Sequence, residues 1–295
     1  MKENGRGRWK ILAKALLDKQ INPTDGVTQS KRRFSSYNIF KSEKLEENES
    51  GTWFAIQICN FLRAQVEQYT VQIHIMKPKM SLNNLTGFNN TGNICIWPSE
   101  ECLALYCIKN KDLFRDNSVM EIGGGQTCLA GLVVAKVCNP ASVTLTDGNQ
   151  DSVDNLAKIV AKNSDLEIST LKYRWTDVQV ISLSAQYDII LCADCLFFDE
   201  GRPALVSELY RLLKPGGLAL VMAPLRSQTF HVFRKMAEDR FNVEHLQDFD
   251  AEVREQHLDL VDQDFYQTDI HYPNLLILRG VLKLLLFKST FKFFI

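Results

Sequence analysis

Hydrophobic and polar positions follow a regular pattern over most of the chain. From Trp97 to about Leu278, apolar runs of strand length alternate with stretches that carry apolar residues at helical spacing. This alternation is typical of an α/β sheet covered by helices on both faces. It predicts seven strands, at residues 119–122, 143–146, 168–174, 187–192, 218–223, 241–246 and 274–278. It predicts helices at residues 99–110, 126–137, 150–162, 202–213, 229–237 and 252–263, with a Lys-Pro-Gly-Gly stop after the fourth.

The first 95 residues do not follow this alternation. Residues 1–50 are polar and charge-mixed, with turn signals at Asn22-Pro23 and Asp25-Gly26. We expect a mobile polar arm there, with one short helix near Leu12. Residues 51–95 contain two strand-like runs followed by an Asn- and Gly-rich loop at 83–93, which predicts a small β-rich element packed on the core.

The main domain is therefore expected at residues 96–280, followed by a tail at 281–295 that mixes apolar residues with lysines. The tail is too short and too charged to span a bilayer. Its role stays open, with packing on the core, disorder and a surface-seeking amphipathic helix as alternatives.

Composition narrows the class of protein. With 45% hydrophobic residues, a chain of 295 residues can bury one full core. The formal net charge of -1 gives no general attraction to nucleic acid or to a membrane surface. The first ten residues carry no apolar signal core, and the eight cysteines lie mostly in apolar contexts. We expect a cytoplasmic protein, with the nucleus as a second compartment. Cys192 and Cys195 match C-x-x-C, but no second pair follows, so we expect no metal site.

A glycine cluster follows the first predicted strand of the main domain. The strand runs into Glu121, and Gly123, Gly124 and Gly125 come directly after Ile122. Glycines let the backbone approach a ligand where a Cβ would collide. The next strand ends in Asp147, 24 positions after Gly123, and an acid there can accept hydrogen bonds from both hydroxyls of a ribose. The pattern predicts an adenosine cofactor, and a tight strand-to-helix turn without a ligand is the alternative.

Two departures from the dinucleotide pattern indicate which cofactor this is. Cys128 stands where a pyrophosphate cradle has its last glycine. Glu121 would repel a phosphate, whereas it suits the ammonium of an amino-acid moiety, directly or through water. Both features favour S-adenosylmethionine, which carries an amino acid and no phosphate.

At this point the chain resembles the seven-strand protein lysine methyltransferases, and within them the branch that acts on calmodulin. The resemblance covers Ile96 to about Leu278 and is carried by residues 96–107, 121–132, 145–149 and 192–197, with His271-Tyr272-Pro273 before the last strand. It implies a Rossmann-like class I methyltransferase sheet whose last strand is antiparallel, with S-adenosylmethionine as cofactor and a protein lysine as substrate. Separately, we expect a monomer.

The leading substrate implied by the resemblance is calmodulin. A sister enzyme acting on a chaperone or translation factor is the nearest alternative, followed by a binding module of the same fold without activity, and by a small-molecule methyltransferase.

The resemblance also implies site residues. It places cofactor contacts at Trp97, Gly123 to Gly125, Asp147, Trp175 and Ala193. Asp147 is expected to bind the ribose, Trp175 to flank the adenine, and Ala193 to leave room beside the sulfonium. Trp97 and Trp175 could instead be packing residues at a helix start and a strand end.

Three further predictions concern the reacting end of the site. Glu121 is expected to meet the amino-acid end of the cofactor or else to bond loop amides. Asp194, after the apolar run Ile189–Leu191, is expected to orient the substrate ammonium or else to cap the next helix. His271 and Tyr272 are candidates for the substrate mouth. Many relatives carry a tyrosine where this chain has Phe197, so roles of that tyrosine do not transfer.

Overall fold

The computed structural model describes residues 34, 36–60, 67–77, 95–175 and 183–280. The predicted helix near Leu12, the loop at 83–93 and the tail at 281–295 lie outside the described residues. None of the helices within the described ranges is long and apolar enough to cross a bilayer.

Ten strands and seven α-helices make up the described part of the chain. The strands are β1 (Lys41–Glu47), β2 (Gly51–Asn60), β3 (Glu67–Met76), β4 (Ser118–Glu121), β5 (Ser142–Asp147), β6 (Ile168–Lys172), β7 (Tyr187–Ala193), β8 (Leu213–Pro224), β9 (Phe241–Leu246) and β10 (Pro273–Gly280). The helices are α1 (Pro98–Lys109), α2 (Leu129–Val137), α3 (Gln150–Lys162), α4 (Arg202–Leu212), α5 (Thr229–Glu238), α6 (Ala251–Leu260) and α7 (Thr268–His271).

Seven strands form the main sheet in the order β6-β5-β4-β7-β8-β10-β9. The pairs β4–β5, β4–β7, β5–β6 and β7–β8 are parallel, and β10 runs antiparallel to both β8 and β9. The order reverses on either side of β4, and ligands of such sheets bind at the carboxyl ends of the strands near this point. The seven strands and the antiparallel last strand confirm the predicted Rossmann-like methyltransferase sheet.

The sheet is buried on both faces. Side chains of β7 alternate between two apolar clusters, with Leu191 in one and Ile190 in the other. Leu103 of α1 and Leu129 of α2 pack in the first cluster, and Leu205 of α4 in the second. This two-sided burial explains why the strands read as continuous apolar runs.

The predicted mobile arm through residue 50 is wrong for its last part. β1 pairs with β2, and the segment before β1 is docked on α1, where Glu101 accepts hydrogen bonds from the backbone N–H groups of Tyr37 at 2.9 Å and Ile39 at 2.7 Å. All seven residues of β1 are exposed, so this edge strand has no apolar face that a sequence pattern could reveal.

Two predicted boundaries also differ from the structure. We expected a helix from Gln126, but α2 begins at Leu129 because its N-cap, Cys128, has a left-handed φ of 44°. We expected the fourth helix to stop before a strand at Leu218, but β8 begins at Leu213 and passes through Gly216, whose φ is 83°. The register against β7 shifts there, because the Lys-Pro-Gly-Gly sequence forms an irregularity inside a strand and not a loop.

Candidate active site

The glycine turn after β4 has no room for residues with a Cβ at Gly123 and Gly124. Gly123 and Gly125 have φ values of 65° and 64°, a region that favours glycine. A Cβ on Gly123 would lie 2.7 Å from Cys195 Sγ and 3.1 Å from the Trp175 ring, and a Cβ on Gly124 would lie 2.4 Å from Cys128 Sγ. The turn therefore follows both from backbone conformation and from close packing.

Asp147 ends β5 and faces this turn. Its Oδ2 accepts a hydrogen bond from Gly125 N at 3.0 Å, and its Oδ1 accepts one from Asn149 N at 2.7 Å. A carboxylate accepts hydrogen bonds and donates none, which is the chemistry that ribose hydroxyls require. Asn149 also caps α3 by accepting from Ser152 N, which ties the acid to a helix start.

Trp175 and Ala193 lie close to the same turn. Trp175 is buried against Gly123, and Ala193 is the last residue of β7. Cys195 joins them, since its thiol contacts the carbonyl oxygens of Gly123 at 3.5 Å and Ala193 at 3.3 Å. The structure thus brings together the predicted residues of three strand ends.

Cys195 itself was missed as a site residue. The hydrogen bond from Cys192 and burial hold the pKa of the Cys195 thiol well above its ordinary value. The thiol is therefore protonated at neutral pH and a poor nucleophile. Within the described residues no group of His, Cys, Asp and Glu side chains could hold a metal ion.

The Glu121 side chain lies beneath the glycine turn, away from the position that direct contact with the cofactor would need. The side chain is fully buried, with Oε2 accepting from Gly131 N of α2 at 2.6 Å and Oε1 lying without a hydrogen-bond partner beneath Gly124. Burial and the nearby Glu100 raise the pKa of the Glu121 carboxyl to about 8. The alternative prediction was a bond from Glu121 to loop amides. Glu121 does bond a backbone amide, but this amide belongs to helix α2 and not to a loop.

Glu100 is a further group that sequence reasoning missed. It lies in the first turn of α1, and its Oε1 accepts from Leu129 N at 2.8 Å and from Thr127 Oγ1 at 2.6 Å. Glu100 therefore caps α2 from another helix, and burial raises its pKa to about 7. Trp97 is partly buried and is the N-cap of α1, so it lies at a helix start, the position that we gave for its alternative role as a packing residue.

Gln126 connects the glycine turn to the small sheet. Its side-chain oxygen accepts from Met76 N of β3 at 2.8 Å, and its carbonyl accepts from Asn155 Nδ2 at 2.9 Å. Asn155 in turn bonds the buried His74 of β3 at 2.5 Å. Gln126 Nε2 is buried without a hydrogen-bond partner next to Gly125.

Asp194 follows β7 with a φ of 55° and is 8% exposed. Its two carboxylate oxygens each lie 2.7 Å from a guanidinium nitrogen of Arg226. Burial raises the pKa of Asp194, and Arg226 acts in the opposite direction. Among the described residues Asp194 caps no helix, and its carboxylate forms the ion pair with Arg226 instead. Arg226 was missed, although a basic residue two positions past the end of β8 was a usable signal.

His271 and Tyr272 do not lie at an open mouth. Both are buried, and the His271 ring lies 5.5 Å from the ring of Phe34. The Tyr37 hydroxyl donates to His271 O, and Tyr272 donates to Asp248 at 3.2 Å. The docked segment before β1 covers this region, so the predicted mouth residues are packing residues here.

A family model described as lysine methyltransferase matches residues 77–240, more than half of the chain. The chain belongs to the lysine methyltransferase family. Calmodulin-lysine N-methyltransferase from Arabidopsis thaliana is 27% identical over 274 residues, covering 87% of this chain and 89% of that protein. Protein-lysine N-methyltransferase EEF2KMT from Homo sapiens is 28% identical over 141 residues, covering 43% of this chain and 42% of that protein.

Among solved structures, a 16S rRNA methyltransferase (RsmC) of T. thermophilus in complex with AdoMet and guanosine aligns with a TM-score of 0.49 at 16% identity. The alignment covers 78% of this chain and 51% of that chain.

This lysine methyltransferase uses S-adenosylmethionine, as the sequence predicted. The residues present fit that cofactor. Gly123 to Gly125 carry no side chain that would keep a ligand from the backbone of the turn, the Asp147 carboxylate lies beside that turn, and Gln126 Nε2 is a buried donor without a partner.

Proposed function

We propose that this lysine methyltransferase transfers methyl groups from S-adenosylmethionine to a lysine of calmodulin. The observation that carries the proposal is the likeness to the Arabidopsis calmodulin-lysine N-methyltransferase, which extends over 87% of this chain and 89% of that protein. The likeness to the human EEF2KMT covers 43% of this chain and 42% of that protein.

We assign the cofactor to the strand ends around the glycine turn. Asp147 would accept from the ribose hydroxyls, since its carboxylate ends β5 and bonds the backbone of the glycine turn. Trp175 would flank the adenine, and the small side chain of Ala193 would leave room for the sulfonium. Trp97 stays a predicted contact, supported by its position at the start of the helix whose Glu100 caps α2.

The bound cofactor supplies an electrophilic methyl group on a sulfonium. The lone pair of the lysine nitrogen would take up this methyl group, the electrons of the broken C–S bond would go to sulfur, and the methylated ammonium would release a proton to solvent. An ammonium has no lone pair, so the lysine must arrive deprotonated. The protein mainly has to align nitrogen, carbon and sulfur, and alignment of this kind lowers a barrier by several kcal/mol.

Asp194 is the proposed catalytic group because it lies at the end of β7 directly after Ala193. Its carboxylate can accept an N–H from the substrate amine and so fix the direction of the nitrogen lone pair. Glu121 is too deeply buried for direct contact, and we propose that it supports the turn from below.

Two other functions fit the fold. A sister enzyme would methylate a chaperone or a translation factor, and a binding module of the same fold would have lost catalysis. The positive φ of Gly123 and Gly125 and the Asp147 carboxylate at the turn disfavour a module without the cofactor site, because these features serve cofactor binding. A cytoplasmic location, with the nucleus as a second compartment, goes with the proposed activity and is testable with a fluorescent fusion.

The test is a transfer assay with methyl-labelled S-adenosylmethionine and a set of purified proteins that contains calmodulin, a chaperone and a translation factor. We expect label on calmodulin and none on the other two. Label on another protein and none on calmodulin would replace the substrate. Absence of S-adenosylmethionine binding, measured by calorimetry, would favour the binding module.

A further inference from the structure

Arg226 lies beside Asp194 at the carboxyl ends of β7 and β8. Nη1 is 2.7 Å from Oδ1, and Nη2 donates a hydrogen bond to Oδ2 at 2.7 Å. The side chain of Asp194 is 8% exposed and that of Arg226 is 26% exposed. The pair is therefore shielded from water, where the interaction between charges is stronger than on the surface.

The backbone that presents Arg226 is itself unusual. Arg226 and Ser227 have φ values of 42° and 60°, a left-handed conformation that is disfavoured for residues with a Cβ. Asp269 stabilises this turn, since its carbonyl accepts from Arg226 N at 2.8 Å and its two carboxylate oxygens accept from Ser227 N at 3.0 and 2.9 Å. Strain of this kind persists where surrounding contacts impose it, often at functional sites.

We propose that Arg226 is a positioning residue of the methyl-transfer site, which keeps the Asp194 carboxylate ionised and oriented and favours the neutral form of the incoming lysine amine. This inference rests on the proposed function, because it places the substrate nitrogen beside Asp194.

The first part of the argument concerns the carboxylate. A buried acid without a cation becomes neutral, because burial raises its pKa. Among the described residues, the charged and titratable groups that face Asp194 are Arg226 and, from its own loop, Cys195, whose thiol is protonated. Arg226 is thus the cation that opposes the effect of burial. Its Nη2 donates a hydrogen bond to Oδ2, which orients the carboxylate, whereas Oδ1 lies 2.7 Å from Nη1 without a hydrogen bond.

The second part concerns the substrate. A lone carboxylate would stabilise the lysine ammonium, which cannot react. Paired with Arg226, the carboxylate is still an acceptor for an amine N–H, but the positive charge offsets its field. A nearby cation lowers the pKa of a lysine amine and so increases the reactive fraction.

The experiment compares Arg226→Gln with wild type in the pH dependence of kcat/KM for methyl transfer. We expect the acidic limb to move to higher pH by roughly 1 to 3 units, the range by which a neighbouring arginine shifts a carboxylate. Arg226→Lys keeps the charge but loses the two-point contact, so its limb stays near wild type while kcat falls. Arg234→Gln is the matched control, because it removes an exposed guanidinium paired with Glu238 on α5 and should leave the profile unchanged.

An Arg226→Gln profile that overlays wild type would overturn the inference, whatever the change in kcat. So would an equal displacement in Arg226→Lys, because the charge would then not matter. If Arg226→Gln does not fold, Arg226→Met, which keeps the packing of the side-chain stem, takes its place.

A second readout needs no substrate. The carboxyl ¹³C resonance of Asp194, assigned with Asp194→Asn, is titrated in wild type and Arg226→Gln. If the Asp194 pKa is higher in Arg226→Gln, the role of Arg226 is supported. If the same enzyme does not methylate calmodulin, the proposed function is contradicted while the role of Arg226 stands. Methylation of calmodulin with an unshifted resonance would contradict the role of Arg226 alone.

Discussion

Asp147 accepts a hydrogen bond from the Gly125 N–H at 3.0 Å and so joins the end of β5 to the glycine turn after β4. The same carboxylate accepts from Asn149 N at 2.7 Å, at the start of α3. One side chain therefore shapes the turn and occupies the place proposed for ribose recognition. Loss of the carboxylate should act on cofactor binding through both effects.

We predict that Asp147→Ala weakens binding of S-adenosylmethionine by about 1 to 3 kcal/mol, because ribose hydroxyls and two backbone N–H groups lose their acceptor. Asp147→Asn keeps one acceptor oxygen and should lie between the alanine variant and wild type. Isothermal titration calorimetry measures both. An unchanged dissociation constant for Asp147→Ala would mean that the cofactor binds elsewhere.

We predict that Gly123→Ala destabilises the protein more than Gly216→Ala does. Both glycines have positive φ, so each alanine costs about 1 to 2 kcal/mol of conformational energy. Only at Gly123 would the Cβ also meet a thiol at 2.7 Å and an indole at 3.1 Å, whereas nothing lies within 4 Å at Gly216. Urea denaturation compares the two, and equal losses would show that the contacts of Gly123 carry no cost.

We predict that Glu121→Gln stabilises the protein at pH 8 more than at pH 5. The folded-state pKa of about 8 lies above the ordinary value of 4.5, so the stability contribution of the protonated acid is complete below pH 4.5 and is lost as pH rises through 8. Glutamine stays neutral and its oxygen can still accept from Gly131 N. Denaturation of the cofactor-free protein between pH 5 and 8 measures the difference, and parallel curves for the two proteins would contradict the assignment.

We predict that Tyr37→Phe lowers the free energy of unfolding by roughly 1 to 3 kcal/mol. The hydroxyl lies 2.6 Å from Tyr266 Oη and donates to His271 O at 3.2 Å, so its removal leaves buried polar groups unsatisfied. Thermal and urea denaturation measure the loss. A variant as stable as wild type would show that the segment before β1 is not held by these bonds.

The main sheet was predictable because its central strands β4, β7 and β8 are buried on both faces and turn residues separate the helix patterns. Gln150 to Lys162 illustrates this, since Val153, Leu156 and Ile159 recur on one face and Asn149 supplies the cap. β1 was not predictable for the opposite reason, because an exposed edge strand held by backbone bonds carries no apolar periodicity.

The site also contains residues that the sequence could predict and residues that it could not. Asp147 and the glycines could be found because the turn needs their residue types, and the structure brings them together. The roles of Glu100 and Arg226 depend on partners distant in sequence, Leu129 and Asp194, and no local pattern encodes such pairs.

The intact mass of unmethylated calmodulin, measured after incubation with this protein and S-adenosylmethionine, tests the central claim most directly. We predict a gain in whole methyl steps that is absent when the calmodulin lysines are acetylated beforehand and is reduced with Asp147→Ala. An unchanged mass of calmodulin, with cofactor binding confirmed separately, would contradict calmodulin as the substrate.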